Sequence, residues 1–218
     1  MRPLRRRLTG RDFTAQHESV EPFWIADLGC GEGYYLAQFI QQCVAQDVGE
    51  VRCCGFDLSK DAVRMAAKLN STGAFGVADI HRQIPLADQS MHVLLNIFAP
   101  RNAAEFARVL KPGGLLLVVI PTDEHLHEWR TALAQQGFNI LGIESAKEQR
   151  LQEQFAAYFE PERMENVCYN IELAQNDLEN LLRMTPNYWH VAEVELPQTP
   201  TCAPISTTVS VQILAWRR

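Results

Sequence analysis

The sequence lacks several features that would each point to a particular class of protein. No apolar run approaches the roughly 20 residues that a membrane-spanning helix needs, and the longest strong run, Leu115 to Ile120, is typical of a buried strand. The six cysteines form no C-x-x-C pair and show no metal-ligand spacing. This pattern excludes a zinc site and is typical of the reduced thiols of a cytosolic protein. The sequence also contains no internal repeat and no low-complexity tract.

The charge is acidic overall, with a local excess of arginine at the amino terminus. A net charge of −6 gives no general attraction to nucleic acid. The arginines among the first eleven residues are Arg2, Arg5, Arg6, Arg7 and Arg11. They form either a solvated terminal segment or a contact with RNA phosphates, and the sequence leaves both open. Because this segment lacks the apolar core of a signal peptide, we expect a cytoplasmic protein.

Length and periodicity predict one α/β domain. With 218 residues, of which 47% are hydrophobic, the chain suits a single core and is too short for a second independent one. Strands and helices alternate, which predicts a mostly parallel sheet of seven strands with helices on both faces. The predicted strands are Trp24–Leu28, Cys53–Phe56, Gly73–Val77, Val93–Phe98, Leu115–Ile120, Asn166–Leu173 and Thr207–Trp216. The predicted helices are Tyr34–Ala45, Lys60–Leu69, Ala103–Val109, Glu124–Gln136, Ala146–Tyr158 and Asn176–Met184, with a turn at Lys111–Gly114 and a loop at Glu193–Pro204.

The most informative feature is the run from Trp24 to Tyr35, in which an apolar strand ends in an acid and glycine then follows at every second position. The acid is Asp27, and the glycines are Gly29, Gly31 and Gly33. Glycine has no Cβ and tolerates positive φ, so such a loop lets a bulky ligand lie against the main chain. The dinucleotide fingerprint G-x-G-x-x-G does not fit, because the third glycine comes one residue early. The pattern D-x-G-x-G-x-G instead resembles that of S-adenosylmethionine (SAM) dependent methyltransferases with a Rossmann-like fold.

A second predicted strand also ends in an acid, Asp57. An acid at the tip of the second strand of a βαβ unit is placed to accept hydrogen bonds from ribose hydroxyls. The alternative is that Asp57 only caps the following helix, because Ser59 and the residues after it also resemble a helix start. In a parallel sheet, Asp27, Asp57, Asp79 and Asn96 would gather at the carboxyl ends of the strands, where ligands bind.

Five stretches resemble the bacterial 23S ribosomal RNA (guanine-N1)-methyltransferases. They are Asp27–Tyr35, Gly55–Lys60, Leu95–Asn102, Glu105–Gly114 followed by Pro121–Glu128, and Leu181–Pro186 with Trp189. The first and fourth stretches occur across many methyltransferases. The run Phe98–Asn102 and the Met-Thr-Pro at 184–186, with a tryptophan three residues later, are more specific to this group. Together the resemblance spans about Pro3 to Trp216.

The resemblance implies a Rossmann-like class I methyltransferase that uses SAM and methylates guanine N1 of ribosomal RNA. It implies that Asp27, Gly29 and Gly31 line the methionine end of SAM and that Asp57 holds the ribose. For the adenine, it implies that Leu58 lies against the ring and that Asp79 and Ile80 meet its edge. It also implies that Asn96 and Phe98 face the methyl-transfer channel. Asp79 could instead cap a turn, and Phe98 could be a core aromatic. The domain would cover residues 1–218, with a basic segment over 1–20 and a variable part over 138–190 above the acceptor site.

Members of this group usually begin with a cysteine-rich zinc module, and the cysteines of this chain cannot replace it. We therefore expect no metal, no membrane partner, and either ribosomal RNA or a small molecule as acceptor; the sequence is also compatible with a homodimer. Two other functions stay open. The acidic balance and the missing module favour a methyltransferase of a small metabolite. A non-catalytic SAM-binding protein would equally retain the glycines and Asp57.

The expected reaction needs mainly placement, because a sulfonium methyl is already activated and the rate depends on near-attack geometry. Guanine N1 carries a proton that must leave, so a general base would help. The polar candidates near predicted strand ends are Asp79, His81 and His125. Each histidine is equally consistent with a surface or capping residue, so the sequence does not choose among them.

Overall fold

The structure, a computed structural model, describes residues 21–135, 147–174, 177–178, 180–181 and 204–218. Its elements are β1 (Phe23–Leu28), α1 (Tyr34–Ala45), β2 (Val51–Asp57), α2 (Lys60–Leu69), β3 (Ala74–Val77), β4 (Met91–Ile97), α3 (Ala103–Val109), β5 (Leu110–Pro121), α4 (His127–Gln135), α5 (Lys147–Phe155), β6 (Glu160–Leu173) and β7 (Ile205–Arg217). Across the described ranges, the seven strands form one sheet in the order β3-β2-β1-β4-β5-β7-β6.

The strands β3, β2, β1 and β4 run parallel and carry the core of the amino-terminal half. Ile25 of β1 lies opposite Cys53 of β2 and Val93 of β4, and all three side chains are buried. Within the sheet, β2 and β3 lie on one side of β1, and β4 lies on its other side, so the strand order reverses at β1. Such a reversal leaves a crevice at the carboxyl ends of the strands, where ligands bind in open α/β sheets. The predicted mostly parallel, seven-stranded α/β fold is therefore confirmed.

The long strands β5 and β7 pair in opposite directions. The N–H of Gly113 donates to the carbonyl of Arg218 at 2.9 Å, and the N–H of Thr122 donates to the carbonyl of Ser210 at 3.1 Å. The predicted turn at Lys111–Gly114 is therefore wrong, since these residues belong to β5. Pairing with the end of β7 satisfies their backbone and outweighs the local preference of proline and paired glycine for a turn.

The chain divides into two compact units. One comprises the chain up to Leu117 together with the last two residues, and the other is Val118–Trp216. The second unit has an aromatic core in which the ring of Phe155 meets those of Phe159 and Trp216 edge-on, with centroids 5.5 and 5.6 Å apart. Of the helices that the structure describes, none combines the length and apolar character needed to cross a membrane.

Helix α4 begins later than the sequence pattern predicts. The predicted helix covers Glu124–Gln136, whereas α4 begins at His127. The N–H of Leu126 donates to the carbonyl of Thr208 at 2.6 Å instead of to a carbonyl one turn earlier. This bond to β7 holds the preceding residues in turns, and the helix starts only after them.

The carboxyl-terminal predictions are tested only in part. Strand β6 begins at Glu160, six residues before the predicted Asn166, and α5 lies within the predicted helix Ala146–Tyr158. Most of the predicted helix Asn176–Met184 and all but the last residue of the predicted loop Glu193–Pro204 lie outside the described residues. The same holds for Trp189 and for the basic segment over residues 1–20.

The loop that precedes β4 is held by Arg108 of α3. Its guanidinium donates to both carboxylate oxygens of Glu105 at 2.8 Å and to the carbonyls of Ile84 and Leu86 at 2.9 Å. It also pairs with Asp88 at 2.6 Å. A guanidinium presents five N–H groups in a rigid fork, so a lysine cannot satisfy the same set.

We expect Arg108→Ala to lower the free energy of unfolding by about 2 kcal/mol, because it strands several partly buried acceptors at once. Arg108→Lys should recover less than half of that loss. Urea denaturation at pH 7 measures both. The matched control is Arg64→Ala, since Arg64 is an exposed residue whose guanidinium lies 3.7 Å from Asp61 and whose loss should cost less than about 0.5 kcal/mol. Equal changes for the two alanine variants would contradict this assignment.

Candidate cofactor site

The glycine loop joins β1 to α1 in a backbone conformation that favours glycine. The φ angles of Gly29, Gly31 and Gly33 are 89°, 50° and 81°. A Cβ added to Gly29 would lie 2.2 Å from the Cβ of Ala99, whereas a Cβ added to Gly31 would meet no atom of the described residues within 4 Å. Packing against the chain therefore requires glycine at position 29. Gly31 instead leaves open space beside the main chain, as a loop that receives a ligand must.

Asp57, at the end of β2, fixes this loop. Its Oδ2 accepts a hydrogen bond from the N–H of Gly31 at 2.9 Å, and its Oδ1 accepts one from the N–H of Ser59 at 2.8 Å. The helix cap that the sequence left open for Asp57 belongs to Ser59, whose hydroxyl accepts from the N–H of Ala62 at 3.3 Å. A carboxylate has about four lone-pair sites, so two bonds to the backbone leave capacity for hydroxyl donors.

Asp27 lies one residue before the end of β1 and is almost completely buried, with 1% of its surface exposed. Within the described residues neither carboxylate oxygen has a hydrogen-bond partner. Burial, assisted by the negative charge of Asp57, raises the pKa of Asp27 to about 7. A buried acid without partners is rare in a native fold and requires an explanation. A positively charged or hydrogen-donating group in the crevice would satisfy it.

Asn96, near the end of β4, joins two backbone segments around the crevice. Its Nδ2 donates to the carbonyl of Leu28 at 2.9 Å and to the carbonyl of Pro100 at 2.8 Å. The first bond reaches the end of β1, and the second holds the loop that follows β4. Its Oδ1 is buried and has no partner among the described residues. The side chain of Asn96 thus shapes the crevice by fixing main chain, and its remaining acceptor is a second unsatisfied polar atom there.

Phe98 lies in the loop that Asn96 holds. Its φ is 52°, a left-handed conformation that a bulky residue seldom adopts, and 48% of its surface is exposed. The alternative that Phe98 is a core aromatic is therefore wrong. Its ring contacts that of Tyr35 edge-on, with centroids 6.4 Å apart. Tyr35 is similarly exposed, and the two rings form an aromatic pair beside the glycine loop.

The segment after β3 brings Asp79 and Ile80 to the same end of the sheet. The N–H of Ala78 donates to the carbonyl of Asp57 at 3.1 Å, which ties this segment to β2. Asp79 accepts from the N–H of His81 at 3.0 Å and pairs with Arg82 at 3.5 Å, so it stabilises a turn. The side chain of Ile80 is buried.

Leu58 and Asp79 differ from Ile80 in that solvent reaches them. Leu58, directly after Asp57, is 72% exposed. Asp79 therefore caps a turn, which is the alternative role that the sequence allowed for it. Whether its carboxylate also meets a ligand stays a prediction.

His125 belongs to the second unit. Its Nδ1 accepts a hydrogen bond from the N–H of Ser210 at 3.2 Å. Burial, together with the positive charge of Arg130, lowers the pKa of His125 below its usual range. The ring is therefore neutral at pH 7, with its proton on Nε2, because Nδ1 must be bare to accept. This arrangement argues against Nε2 as a proton acceptor.

Sequence reasoning did not single out Tyr35 or Ala99. Tyr35 lies within the glycine-rich stretch. Its contact with Phe98 depends on the positive φ of Phe98, which no sequence pattern predicts. Ala99 matters because its methyl group packs where Gly29 has none. Its small side chain next to a proline is the one local indication of a tight loop.

Residues 25–114 match a family described as a methyltransferase domain. In fold, the chain is similar to a candidate methyltransferase of Bacillus halodurans C-125, with a TM-score of 0.58 and 16% identity over 90% of this chain and 92% of that one. The sheet order, the glycine loop and the acids at the tips of β1 and β2 agree with this match, and the chain has a Rossmann-like fold of the methyltransferase type.

Two curated relatives narrow the assignment. The 23S rRNA (guanine(748)-N(1))-methyltransferase of Streptomyces fradiae is 36% identical over 89% of this chain and 65% of its own length. A protein of Micromonospora griseorubida, named as a candidate 23S rRNA (guanine-N(1)-)-methyltransferase, is 34% identical over 90% of this chain and 64% of its own length. The chain is thus similar, over about nine tenths of its length, to proteins named as bacterial 23S rRNA (guanine-N1)-methyltransferases, the group that the sequence motifs resemble. It spans less than two thirds of these relatives.

Proposed function

We propose that this chain binds SAM and transfers its methyl group to N1 of a guanine in 23S ribosomal RNA. One observation carries the proposal above all. Asp27 is buried without a partner among the described residues, beside the open main chain of Gly31, in the crevice where the strand order reverses. The residues there fit a ligand with a positive charge and a sugar, because an unpaired carboxylate and a second acid lie side by side.

Each predicted residue would have a distinct task. Asp27 would neutralise the cationic methionine end, and Gly31 would allow close approach to the main chain. Asp57 would offer its remaining lone pairs to the ribose while it holds the N–H of Gly31. The exposed side chain of Leu58 would be covered by the adenine, with Ile80 behind it. Asp79 would meet the edge of the adenine.

Gly29, Asn96 and Phe98 would shape the side of the crevice that faces the acceptor. SAM supplies an activated sulfonium methyl when it is bound, so the protein contributes mainly position. Packing of Ala99 against Gly29 and the bond from Asn96 to Pro100 fix the loop that borders this side. A fixed loop reduces the freedom that an acceptor would otherwise have to lose.

Removal of the N1 proton is the one step for which a base would help. Asp79, His81 and His125 stay candidates from the sequence. The neutral ring of His125 has its acceptor nitrogen engaged by Ser210, which makes it the weakest of the three. Asp79 and His81 share one turn after β3, and a carboxylate in that turn could accept a proton.

Support for the RNA acceptor comes from the two relatives, both named for guanine N1 of 23S rRNA. The charge distribution agrees with an uncharged acceptor group. Among the described residues around the glycine loop, Glu32, Asp57 and Asp79 bring negative charge, which would repel an anionic metabolite. A guanine base presents no such charge to the crevice, although its phosphates would need contacts elsewhere.

Incubation with tritiated SAM tests the proposal. We expect label in unmethylated 23S rRNA and a stop of reverse transcriptase one nucleotide before the modified guanine, because N1 methylation blocks its base-pairing edge. A cellular metabolite pool is labelled in parallel, and label there alone would favour the small-molecule alternative. Calorimetry with adenosylhomocysteine isolates the cofactor step. Absence of both heat and a thermal shift would overturn the cofactor site itself.

A further inference from the structure

Arg101, in the loop after β4, has no task in cofactor binding as proposed above. The residue is partly buried. Among the described residues, its guanidinium has neither a hydrogen-bond partner nor an ion-pair partner. Each of the other arginine side chains that the structure describes has at least one such partner. Arg101 is therefore the exception among them, and its position requires an explanation.

The charge of Arg101 is kept in this position at an energetic cost. Arg108, by contrast, has two carboxylates and two backbone carbonyls around its guanidinium. Burial alone lowers the pKa of Arg101 below its ordinary value, so no carboxylate of the described residues offsets the water that its charge has lost. Removing a charge from water without a counter-charge is unfavourable. An anionic ligand would supply the missing counter-charge.

The backbone on both sides of Arg101 is fixed. On one side, the carbonyl of Pro100 accepts a hydrogen bond from Nδ2 of Asn96 at 2.8 Å. On the other side, Nδ2 of Asn102 donates to the carbonyl of His81 at 3.1 Å, which joins the loop after β4 to the turn after β3. Arg101 thus lies between two anchored residues. Only its side chain has to be ordered when a ligand binds, which lowers the entropic cost of binding.

This junction borders the side of the crevice that faces the acceptor. Ala99, two residues before Arg101, packs where Gly29 has no side chain. The loop after β4 and the turn after β3 both follow the carboxyl ends of parallel strands, where ligands bind. Arg82, in the turn after β3, pairs with Asp79 at 3.5 Å. Arg101 therefore supplies positive charge without a counter-charge at the edge of the sheet where the acceptor is expected.

We propose that the guanidinium of Arg101 binds an RNA phosphate next to the target guanine and so holds that nucleotide at the crevice. This inference rests on the proposed function and identifies a contact for the phosphates, which the acids around the glycine loop would repel. A guanidinium presents paired N–H groups that match two phosphate oxygens. Phosphate contacts fix the position of a nucleic acid without reading its sequence. Arg101 thus binds the substrate and takes no part in the methyl transfer itself.

The test uses the full chain and a fragment of 23S rRNA, made without modification, that contains the guanine methylated by the wild type. Filter binding at several concentrations of KCl measures the affinity and its salt dependence. We expect Arg101→Gln to weaken RNA binding about tenfold. The slope of log affinity against log salt should become shallower by about 0.7 to 1, the effect of losing one phosphate contact. KM for the RNA should rise by a similar factor, with kcat changed by less than about twofold.

Two variants serve as comparisons. Arg101→Lys keeps the charge without the planar fork, so it should retain the salt slope and only part of the affinity. The matched control is Arg52→Gln, which removes one charge from an exposed residue near the start of β2, at the opposite edge of the sheet. Its affinity and its slope should equal those of the wild type.

A change in the RNA tests the same contact from the other side. A methylphosphonate at one of the two phosphates that flank the target guanine removes the charge from that phosphate. At one of these positions it should weaken binding by the wild type about tenfold and leave binding by Arg101→Gln unchanged, because the same contact cannot be lost twice. Equal weakening of both proteins at both positions would contradict the proposal.

The outcomes separate this contact from the proposed function. If the wild type methylates 23S rRNA while Arg101→Gln keeps its affinity and its slope, the phosphate contact is wrong and the proposed function stands. Weaker binding of adenosylhomocysteine by Arg101→Gln would assign the guanidinium to the carboxylate of the cofactor instead. A clear fall in the thermal midpoint of that variant would assign it to a partner within the chain, because loss of an unpaired charge should not destabilise the free protein. If adenosylhomocysteine binds but no RNA is bound or methylated, both proposals fall.

Discussion

Replacement of Asp27 by asparagine should make the protein more stable at pH 8 and weaken its binding of adenosylhomocysteine by about 10- to 100-fold. The carboxylate is buried and lacks hydrogen-bond partners among the described residues. Its charged form is therefore costly in the folded state, and an amide of the same shape removes that charge. We expect a gain of about 2 kcal/mol, because the amide still leaves polar atoms poorly satisfied. The lost affinity corresponds to one hydrogen bond to a charged group.

The sign of the pH dependence distinguishes this explanation from a general effect of the mutation. The pKa of Asp27 is about 7 in the folded state and 3.8 in its ordinary state. Between these values the folded chain retains a proton that the unfolded chain has lost, so the contribution of Asp27 to stability falls as the pH rises from about 4 to about 7. Above pH 7 the penalty is complete. Urea denaturation at pH 5 and pH 8 should therefore show that the difference between Asp27→Asn and the wild type grows with pH.

Ligand binding should show the opposite trend in the wild type. The ammonium group of adenosylhomocysteine favours the charged carboxylate, so the affinity for this ligand should rise with pH up to about pH 8 and be nearly flat in Asp27→Asn. Calorimetry across that range provides the comparison. A variant that is less stable than the wild type at pH 8, or that binds as tightly, would show that Asp27 has another role.

The part of the site that the sequence predicts is the part encoded by local pattern. The glycine loop and Asp57 follow consecutive residue types at fixed positions, and the structure places Asp57 on the N–H of Gly31. The lack of partners for Asp27 among the described residues could not be predicted, because it depends on how β1 packs between β2 and β4. The positive φ of Phe98 likewise arises from contacts of its neighbours and not from its own preference.

The same distinction holds for the fold. Helix α3 matches its prediction at both ends, since Asn102 caps it by accepting from the N–H of Glu105 at 3.3 Å and leaves a local signature. The turn predicted at Lys111–Gly114 was wrong because the deciding contact comes from Arg218, over a hundred residues away. Local chemistry predicts an element well where its own residues satisfy its backbone, and poorly where a distant strand does so.

Substitution of the two glycines by alanine should separate folding from binding. Gly29→Ala places a methyl group 2.2 Å from the Cβ of Ala99 at a φ of 89°, and overpacking plus backbone strain should lower the free energy of unfolding by about 3 kcal/mol. The methyl group of Gly31→Ala meets no atom within 4 Å in the part of the chain that the structure describes, so only the cost of a left-handed alanine remains, about 1 kcal/mol. Its methyl group, however, fills the open space beside the loop, and adenosylhomocysteine affinity should fall at least tenfold.

A second-site change gives the control for this pair. Ala99→Gly removes the methyl group that Gly29→Ala meets, so the double variant should recover about half of the lost stability, with the strain of the positive φ remaining. The same change cannot restore binding to Gly31→Ala, because Ala99 does not contact position 31. Thermal unfolding and calorimetry measure the two effects separately. If Gly31→Ala retained full affinity, the open space beside Gly31 would not be where the ligand lies, and the assignment of the loop as a cofactor cradle would have to be abandoned.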